Sequence, residues 1–219
     1  MPNARARAGE LEIVRLTPSR TQDLGKALSG TWGSACWCMY PRLNAKLRRE
    51  LPGPGDSGER SRRAMSALAR RRRAPGLLAY QDGEVAGWVA IAPRPELVRI
   101  DASKATPPVD DVGVWVIPCV TVRRRSRGRG VAQALIRAAV AYAAKQGAPA
   151  VEAYPRAGDV RVHDDFAFIG TEALFRKAGF RKVRGPLRGL PHGWTPRVTM
   201  RVACTSRTSP RSRARSAGA

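Results

Sequence analysis

Val116-Ile117-Pro118-Cys119-Val120-Thr121-Val122 runs into Arg123-Arg124-Arg125-Ser126-Arg127-Gly128-Arg129-Gly130, and that into the Ala-rich segment opening at Val131-Ala132. An apolar strand, a basic glycine turn and a helix start follow one another without a gap. Glycines let backbone N–H groups approach an anion, a helix N-terminus adds partial positive charge, and arginines supply bidentate donors. The arrangement therefore predicts a cradle for a diphosphate. A plain strand-to-helix turn explains the glycines but not arginines 123, 124, 125, 127 and 129 gathered at a helix N-terminus, where their charge opposes the local dipole.

Outward from the turn, Val131, Leu135, Ala138 and Tyr142 sit at helical spacing, and Gly147 predicts the stop of that helix. Ala150 to Tyr154 reads as a strand ended by Pro155. Thr171 reads as the cap of a helix through Phe175 to Ala178 with Gly179 as its stop, and Phe180 to Val183 and Arg197 to Val202 as two last strands. Upstream, Leu11 to Leu16 predicts a first strand, Thr17-Pro18-Ser19 begins a helix carrying Leu24 and Leu28, and Pro52 to Gly58 is a loop. Asp82-Gly83, between the apolar runs Leu77–Tyr80 and Val85–Ala92, predicts a hairpin. Residues 101–111 read as a polar loop before a strand from Val112 to Val122.

Two segments keep two readings each. Trp32, Cys36, Trp37, Cys38, Met39 and Tyr40 crowd into ten residues as either a core plug or a binding wall. Glu59 to Arg73 reads as a helix with arginines 60, 62, 63, 70, 71, 72 and 73 around Met65 and Leu68, either a solvated face or a nucleic-acid contact.

The chain has 219 residues, 43% hydrophobic and 26% charged, enough for one well-buried domain. Its net charge of +23 comes from 40 basic residues, only six of them lysine. Such a field draws anions, although an arginine excess also follows from GC-rich coding. Cys36, Cys38, Cys119 and Cys204 are too few and scattered for a disulfide framework, and His163 and His192 give no zinc-ligand spacing, so no metal is expected. No signal peptide and no membrane span are expected, and the cytoplasm is the default location. Residues 1–10 read as a flexible N-terminus, 11–203 as the domain, and 204–219, rich in Arg and Ser without acids or aromatics, as a disordered tail.

With these elements in order, the chain resembles the GNAT family of acetyl-CoA-dependent N-acetyltransferases over residues 11–203. Arg125-Ser126-Arg127-Gly128-Arg129-Gly130 fits the family signature Gln/Arg-x-x-Gly-x-Gly/Ala, and Ala173-Leu174-Phe175-Arg176-Lys177-Ala178-Gly179-Phe180 is similar to its late aromatic-x-x-x-Gly-Phe segment. A Walker turn needs Gly-Lys-Ser/Thr where this chain has Gly130-Val131-Ala132, and a dinucleotide fingerprint needs a third glycine where Gln133 stands. The resemblance implies an α/β (α+β) fold: a single domain with a central, mixed, mostly antiparallel sheet flanked by helices and splayed at its two central strands.

It also implies roles. The co-substrate would be acetyl-CoA, its diphosphate on Arg125, Arg127, Gly128, Arg129, Gly130, Val131 and Ala132, its pantetheine beside Val120-Thr121-Val122, and its thiol end near Phe175. A main-chain N–H at Val120 or Val122 would donate to the oxyanion as a neutral amine attacks the thioester directly in a ternary complex. Many family members place a tyrosine acid where this chain has Phe175, so that acid is missing. Glu152 and Tyr154, alternating onto one strand face, are candidates for proton transfer, with an exposed face or a satisfied hydrogen bond as the alternative. His163, Asp164 and Asp165 could approach the acceptor, whereas Cys119, with no activating histidine near it in sequence, is not assigned as a nucleophile. Trp32, Trp37 and Tyr40, with Trp194 from the last hairpin loop, are the candidate wall for the amine acceptor, a small molecule or peptide. The expected state is monomer or homodimer without a membrane or nucleic-acid partner. A catalytically silent acyl-CoA-binding protein and a basic nucleic-acid-binding module stand as the alternatives.

Overall fold

The computed structural model describes residues 10–31, 33–158 and 168–204. The sheet starts with β1 (Leu11–Arg15), which pairs antiparallel with β2 (Gly76–Gln81) from Leu11↔Gln81 to Arg15↔Leu77. β2 turns through Asp82-Gly83, at φ 54° and 77°, into β3 (Glu84–Pro93). Two consecutive positive φ values match the twist that a two-residue hairpin needs, which is why Asp-Gly stands there. β3 pairs antiparallel with β4 (Trp115–Val122), and β4 runs parallel to β5 (Ala150–Ala153). β6 (Arg181–Arg184) and β7 (Thr199–Ala203) complete a seven-stranded sheet in the order β1-β2-β3-β4-β5-β7-β6.

β4 and β5 share only Trp115↔Val151, Val116↔Glu152 and Ile117↔Ala153. The next residue, Pro118, has no N–H to offer a ladder. The β3–β4 register shifts at the same place: Ala90 faces Cys119 and Ala92 faces Val116, so Ile117 and Pro118 together oppose Ile91. This bulge bends β4 away from β5, and the sheet opens between its two central strands.

Alternation of strand side chains fills a core on each face of the sheet. Leu77, Ala79, Val89 and Ile91 face α6 (Val131–Lys145) through Leu135, Ile136 and Ala139. Leu78, Trp88 and Ala90 face α1 (Thr21–Leu28) and α4 (Ser57–Ala69) through Leu24, Leu28 and Met65. Short helices α2 (Gly33–Cys36) and α3 (Ala45–Arg49) lie between α1 and α4 in sequence, α5 (Val98–Asp101) precedes β4, and α7 (Glu172–Lys177) precedes β6. Among the described residues three helix starts carry side-chain caps: Asn44 accepts from Leu47 N at 2.8 Å, Asp56 from Gly58 and Glu59 N at 2.8 and 2.9 Å, and Thr171 from Leu174 N at 3.2 Å.

The sequence reading needs two corrections here. α4 ends at Ala69, not Arg73: Ser61, Met65 and Ala69 bury one stripe, and Arg70 to Arg73 offer nothing apolar to extend it. Pro75 also disfavours a helical Ala74. Arginines 70 to 73 therefore sit beyond the helix. β4 begins at Trp115, because Val112, expected to start it, is 41% exposed and its N–H is taken by Asp110 Oδ1 at 3.1 Å. The expected terminal segments fall largely outside the described residues. Among the described residues no helix is long and apolar enough to cross a membrane.

Candidate active site

The glycine turn leaves β4 at Val122, makes a single helical turn over Arg124–Ser126 and enters α6 at Gly130. Gly128 and Gly130 have φ of 75° and 78°, and a Cβ on either would meet nothing within 4 Å. Backbone conformation, not crowding, thus selects glycine at both positions. Gly130 caps α6 without a side chain, and the helix's first i→i−4 bond is Ala134 N to Gly130 O at 3.0 Å. The preceding amides of the first turn have no partner within the helix.

The arginines of the turn divide. Arg123 donates to Ser29 Oγ at 2.6 Å and to the Lys26 carbonyl, tying the turn to the end of α1. Arg125 pairs with Glu84 at 2.7 Å on the open surface, where such a pair is worth little. Arg127 donates to the Val122 carbonyl at 3.3 Å and lines a cleft, while Arg129 is exposed.

That cleft, of about 270 Å³, runs along Val120, Thr121 and Val122, with Ala132 at its α6 end and Cys36 and Leu174 on its walls. The β3 ladder decides which backbone groups face it. Arg123 N donates to Ala86 O at 2.8 Å, so Ala86/Arg123 is a hydrogen-bonded pair. Alternation makes Trp88/Thr121 and Ala90/Cys119 the next ones, which turns the N–H and C=O of Val120 and Val122 away from β3 and into the opening that β5 has left.

A second cleft of about 530 Å³ meets the first at Tyr40, Pro41 and Phe168. Ile117 and Pro118 line this one, Cys119 to Val122 the other, so β4 passes from one to the other at its bulge. Tyr154, Trp194, Arg99 and Arg197 also line it. Arg99 stacks over the Tyr40 ring at 4.1 Å. Arg197 donates to the Tyr154 carbonyl at 3.2 Å, and burial, reinforced by the Arg156 charge, pulls its guanidinium down to about 10. Among the described residues no carboxylate pairs with Arg99 or Arg197, and none lines either cleft.

Glu152 and Tyr154 do share a strand face. Tyr154 donates to Glu152 Oε2 at 2.5 Å and accepts from Arg94, while Arg201 reaches Glu152 Oε1 at 2.6 Å and grips Asp110 at 2.7 and 2.9 Å. Burial, then the Glu152 charge, pushes the Tyr154 phenol well above the usual tyrosine range. Only Tyr154 of the two reaches the cleft. Phe175 lies fully buried, edge-on to Phe180 at 5.1 Å between centroids, and its neighbour Leu174 lines the cleft. Trp37 packs over Gly25 rather than lining either cleft, Tyr40 lines both, and Trp32, His163, Asp164 and Asp165 lie outside the described residues.

Sequence reading missed Arg94 and Arg201, which have no local signal, and Arg99 and Arg197, which only the fold brings to one cleft. It also missed the bulge, for which a proline inside a central strand was the available sign.

The sequence model of the acetyltransferase (GNAT) family matches residues 41–180, well over half of the chain. The chain belongs to the acetyltransferase (GNAT) family and is thereby an acyltransferase. No curated protein sequence matches it. Among solved structures, YncA from Salmonella typhimurium, determined with its cofactor acetyl-CoA, is 15% identical and superposes with a TM-score of 0.52 over 93% of this chain and 99% of that one. A GNAT-family acetyltransferase from Streptococcus pneumoniae gives 17% identity and a TM-score of 0.51 over 89% and 99%. One from Bacillus anthracis gives 12% and 0.52 over 90% and 97%. At these identities the likeness concerns the fold, a mixed seven-stranded sheet with flanking helices.

Proposed function

We propose that the chain transfers an acetyl group from acetyl-CoA to an amine acceptor by direct attack in a ternary complex. One observation carries the reading: the main chain of Val120 and Val122 is turned into a cleft that reaches Arg127 and Ala132, on either side of Gly128 and Gly130. Residue by residue, the amides at Gly128, Gly130, Val131 and Ala132 hold the diphosphate, and Arg127, Arg129 and a released Arg125 add charge. Val120 and Val122 hydrogen-bond the pantetheine beside Thr121, and one of their N–H groups receives the developing oxyanion. Leu174 forms the apolar floor near the thiol, with Phe175 buried behind it.

The second cleft takes the acceptor, against Tyr40 and Trp194. Its two arginines lack carboxylate partners among the described residues, which suits an acceptor carrying an anionic group beside its amine. Tyr154 and Glu152 form the proton-transfer pair: the phenol takes a proton from the amine as it passes its own to Glu152. The arginines of α4 are read as a solvated face, and four free thiols fit a reducing cytoplasm.

One observation favours a second reading, a silent acyl-CoA-binding protein: both Glu152 oxygens already have partners, Tyr154 and Arg201, and Phe175 brings no hydroxyl. Thermal stability with acetyl-CoA and CoA-thiol release over a broad amine panel separate the two. A shift with turnover supports the transferase, a shift without turnover supports the silent binder, and no shift at millimolar acetyl-CoA overturns both.

A further inference from the structure

Cys36 and Cys38, two residues apart, and the distant Cys119 converge on the first cleft. Cys36, Cys38 and Cys119 all line it, Cys36 half-buried and the other two buried. In a regular helix residues two apart point to nearly opposite sides. Here α2 ends at Cys36, and Trp37 and Cys38 take left-handed φ values of 48° and 54°, which folds the chain back on itself. Trp37 N to Gly33 O and Met39 N to Cys36 O, both 2.8 Å, hold the turn, and the Trp37 ring fills the space over Gly25 where a Cβ would lie 2.9 Å from it.

The result is a paired thiol. Cys38 N–H donates to Cys36 Sγ at 3.3 Å, and the Cys38 sulfur accepts Trp88 Nε1 at 3.1 Å. The Cys38 thiol, together with the Cys38 and Tyr40 amides and the Arg48 charge, draws Cys36 down to about 7 against the opposing effect of burial. Contact with Cys119 and Cys36, and burial, push Cys38 the other way. A half-buried thiol whose sulfur accepts the Cys38 amide thus stands beside a buried thiol on the same cleft wall, the arrangement of an attacking and a resolving cysteine.

We propose that Cys36 and Cys38 are a peroxide-sensitive dithiol that closes to a disulfide on the wall of the cleft. The Cys36 thiolate attacks one peroxide oxygen; the S–O bond forms, the O–O bond breaks, and hydroxide leaves and is protonated to water. Cys36 is now a sulfenic acid, oxidised by two electrons as the peroxide is reduced. The Cys38 sulfur then attacks Cys36, the S–S bond forms, the S–O bond breaks, and the departing hydroxide takes the Cys38 proton as a second water. The sum is two thiols and one peroxide giving one disulfide and two waters. Thiol chemistry here is independent of acyl transfer, whereas one corollary rests on the function proposed above: acetyl-CoA lying along Val120–Val122 covers Cys36 and slows its oxidation.

The test treats the full reduced chain with hydrogen peroxide and follows free thiols and peptide masses, with and without acetyl-CoA. The expected result is loss of two of the four thiols, a peptide holding Cys36 and Cys38 lighter by two hydrogens, and full recovery with dithiothreitol. C38S should stop at a Cys36 sulfenic acid trapped by dimedone, and C119S and C204S should still form the bridge. Both thiols remaining free while peroxide is consumed, a Cys38–Cys119 bridge, or a disulfide between chains each overturns the proposal. If the bridge forms at the same rate with saturating acetyl-CoA, the dithiol stands and the placement of the donor in this cleft falls.

Discussion

Tyr154 and Glu152 are joined by a 2.5 Å hydrogen bond between two buried side chains on one face of the strand that forms half of the opening in the sheet. Arg94 holds the phenol from one side and Arg201 the carboxylate from the other, so the pair is the centre of a charged chain that ends at Asp101 and Asp110. Removing one member of a buried, satisfied network leaves its partners unpaired. Glu152→Ala should lower unfolding free energy by about 3–5 kcal/mol. Tyr154→Phe should lower it by about 1–3 kcal/mol. Urea melts of both variants check this, and wild-type midpoints in both would show that the network carries no structural weight.

The same pair measures how far sequence alone reaches. Strand alternation puts residues 152 and 154 on one face, and that needs nothing but the spacing. Their clamps lie far off in sequence, Arg94 60 residues before Tyr154 and Arg201 49 after Glu152, and no local pattern marks them. The glycine turn, the Asp82-Gly83 hairpin and the Thr171 cap were legible because backbone conformation itself demands those residue types. The early stop of α4 was not, because seven arginines carry no helical period to break. The Cys36–Cys38–Cys119 cluster was hidden for a third reason: only a left-handed turn at Trp37 and Cys38 brings the first two sulfurs together.

At the glycine turn, Gly130→Ala forces a left-handed alanine and should cost about 1–2 kcal/mol of stability. Gly128→Glu adds a carboxylate among the amides assigned to the diphosphate. Wild-type protein at a hundredfold the acetyl-CoA dissociation constant should gain about 2.7 kcal/mol, and the Glu variant should gain nothing while remaining folded by circular dichroism. An equal gain in both would remove the turn from the site.

Glu172 gives a pH dependence. Burial raises its carboxyl, but the hydrogen bond from Lys182 at 2.6 Å, the Gly158 amide and the Lys182 and Arg176 charges outweigh it, and the net shift is downward. A carboxylate lowered in the folded state contributes stability above its unfolded value, about 4.3, and loses it as pH falls through the folded one. Lys182→Met should therefore flatten the acid limb of a stability–pH curve below roughly pH 4.3 and leave its neutral part nearly parallel. Identical slopes in the two proteins would sink this assignment.

In the second cleft, proposed to take the acceptor, Arg197→Ala should lower kcat/KM for an amine bearing a neighbouring carboxylate by roughly tenfold to a hundredfold, the loss of about 1.5–3 kcal/mol for a hydrogen bond to a charged group. Its effect on an uncharged amine should be small. The discriminating quantity is the ratio of the two kcat/KM values, and a ratio unchanged by the substitution would assign Arg197 to packing alone.

The gap between β4 and β5 also bears on how the chain avoids self-association. The outer rims of the sheet are guarded in the ordinary way, β1 by being five residues long and β6 by reading Arg181-Lys182-Val183-Arg184. Val120–Val122, paired with β3 on one side only, carries no charged side chain to repel a visiting strand. It lines a cleft of about 270 Å³ between the Cys36 turn and Leu174, the cleft that the proposed function fills with the acyl donor. In the proposed function the fold thereby keeps an exposed-edge chemistry for a small guest while withholding it from other proteins.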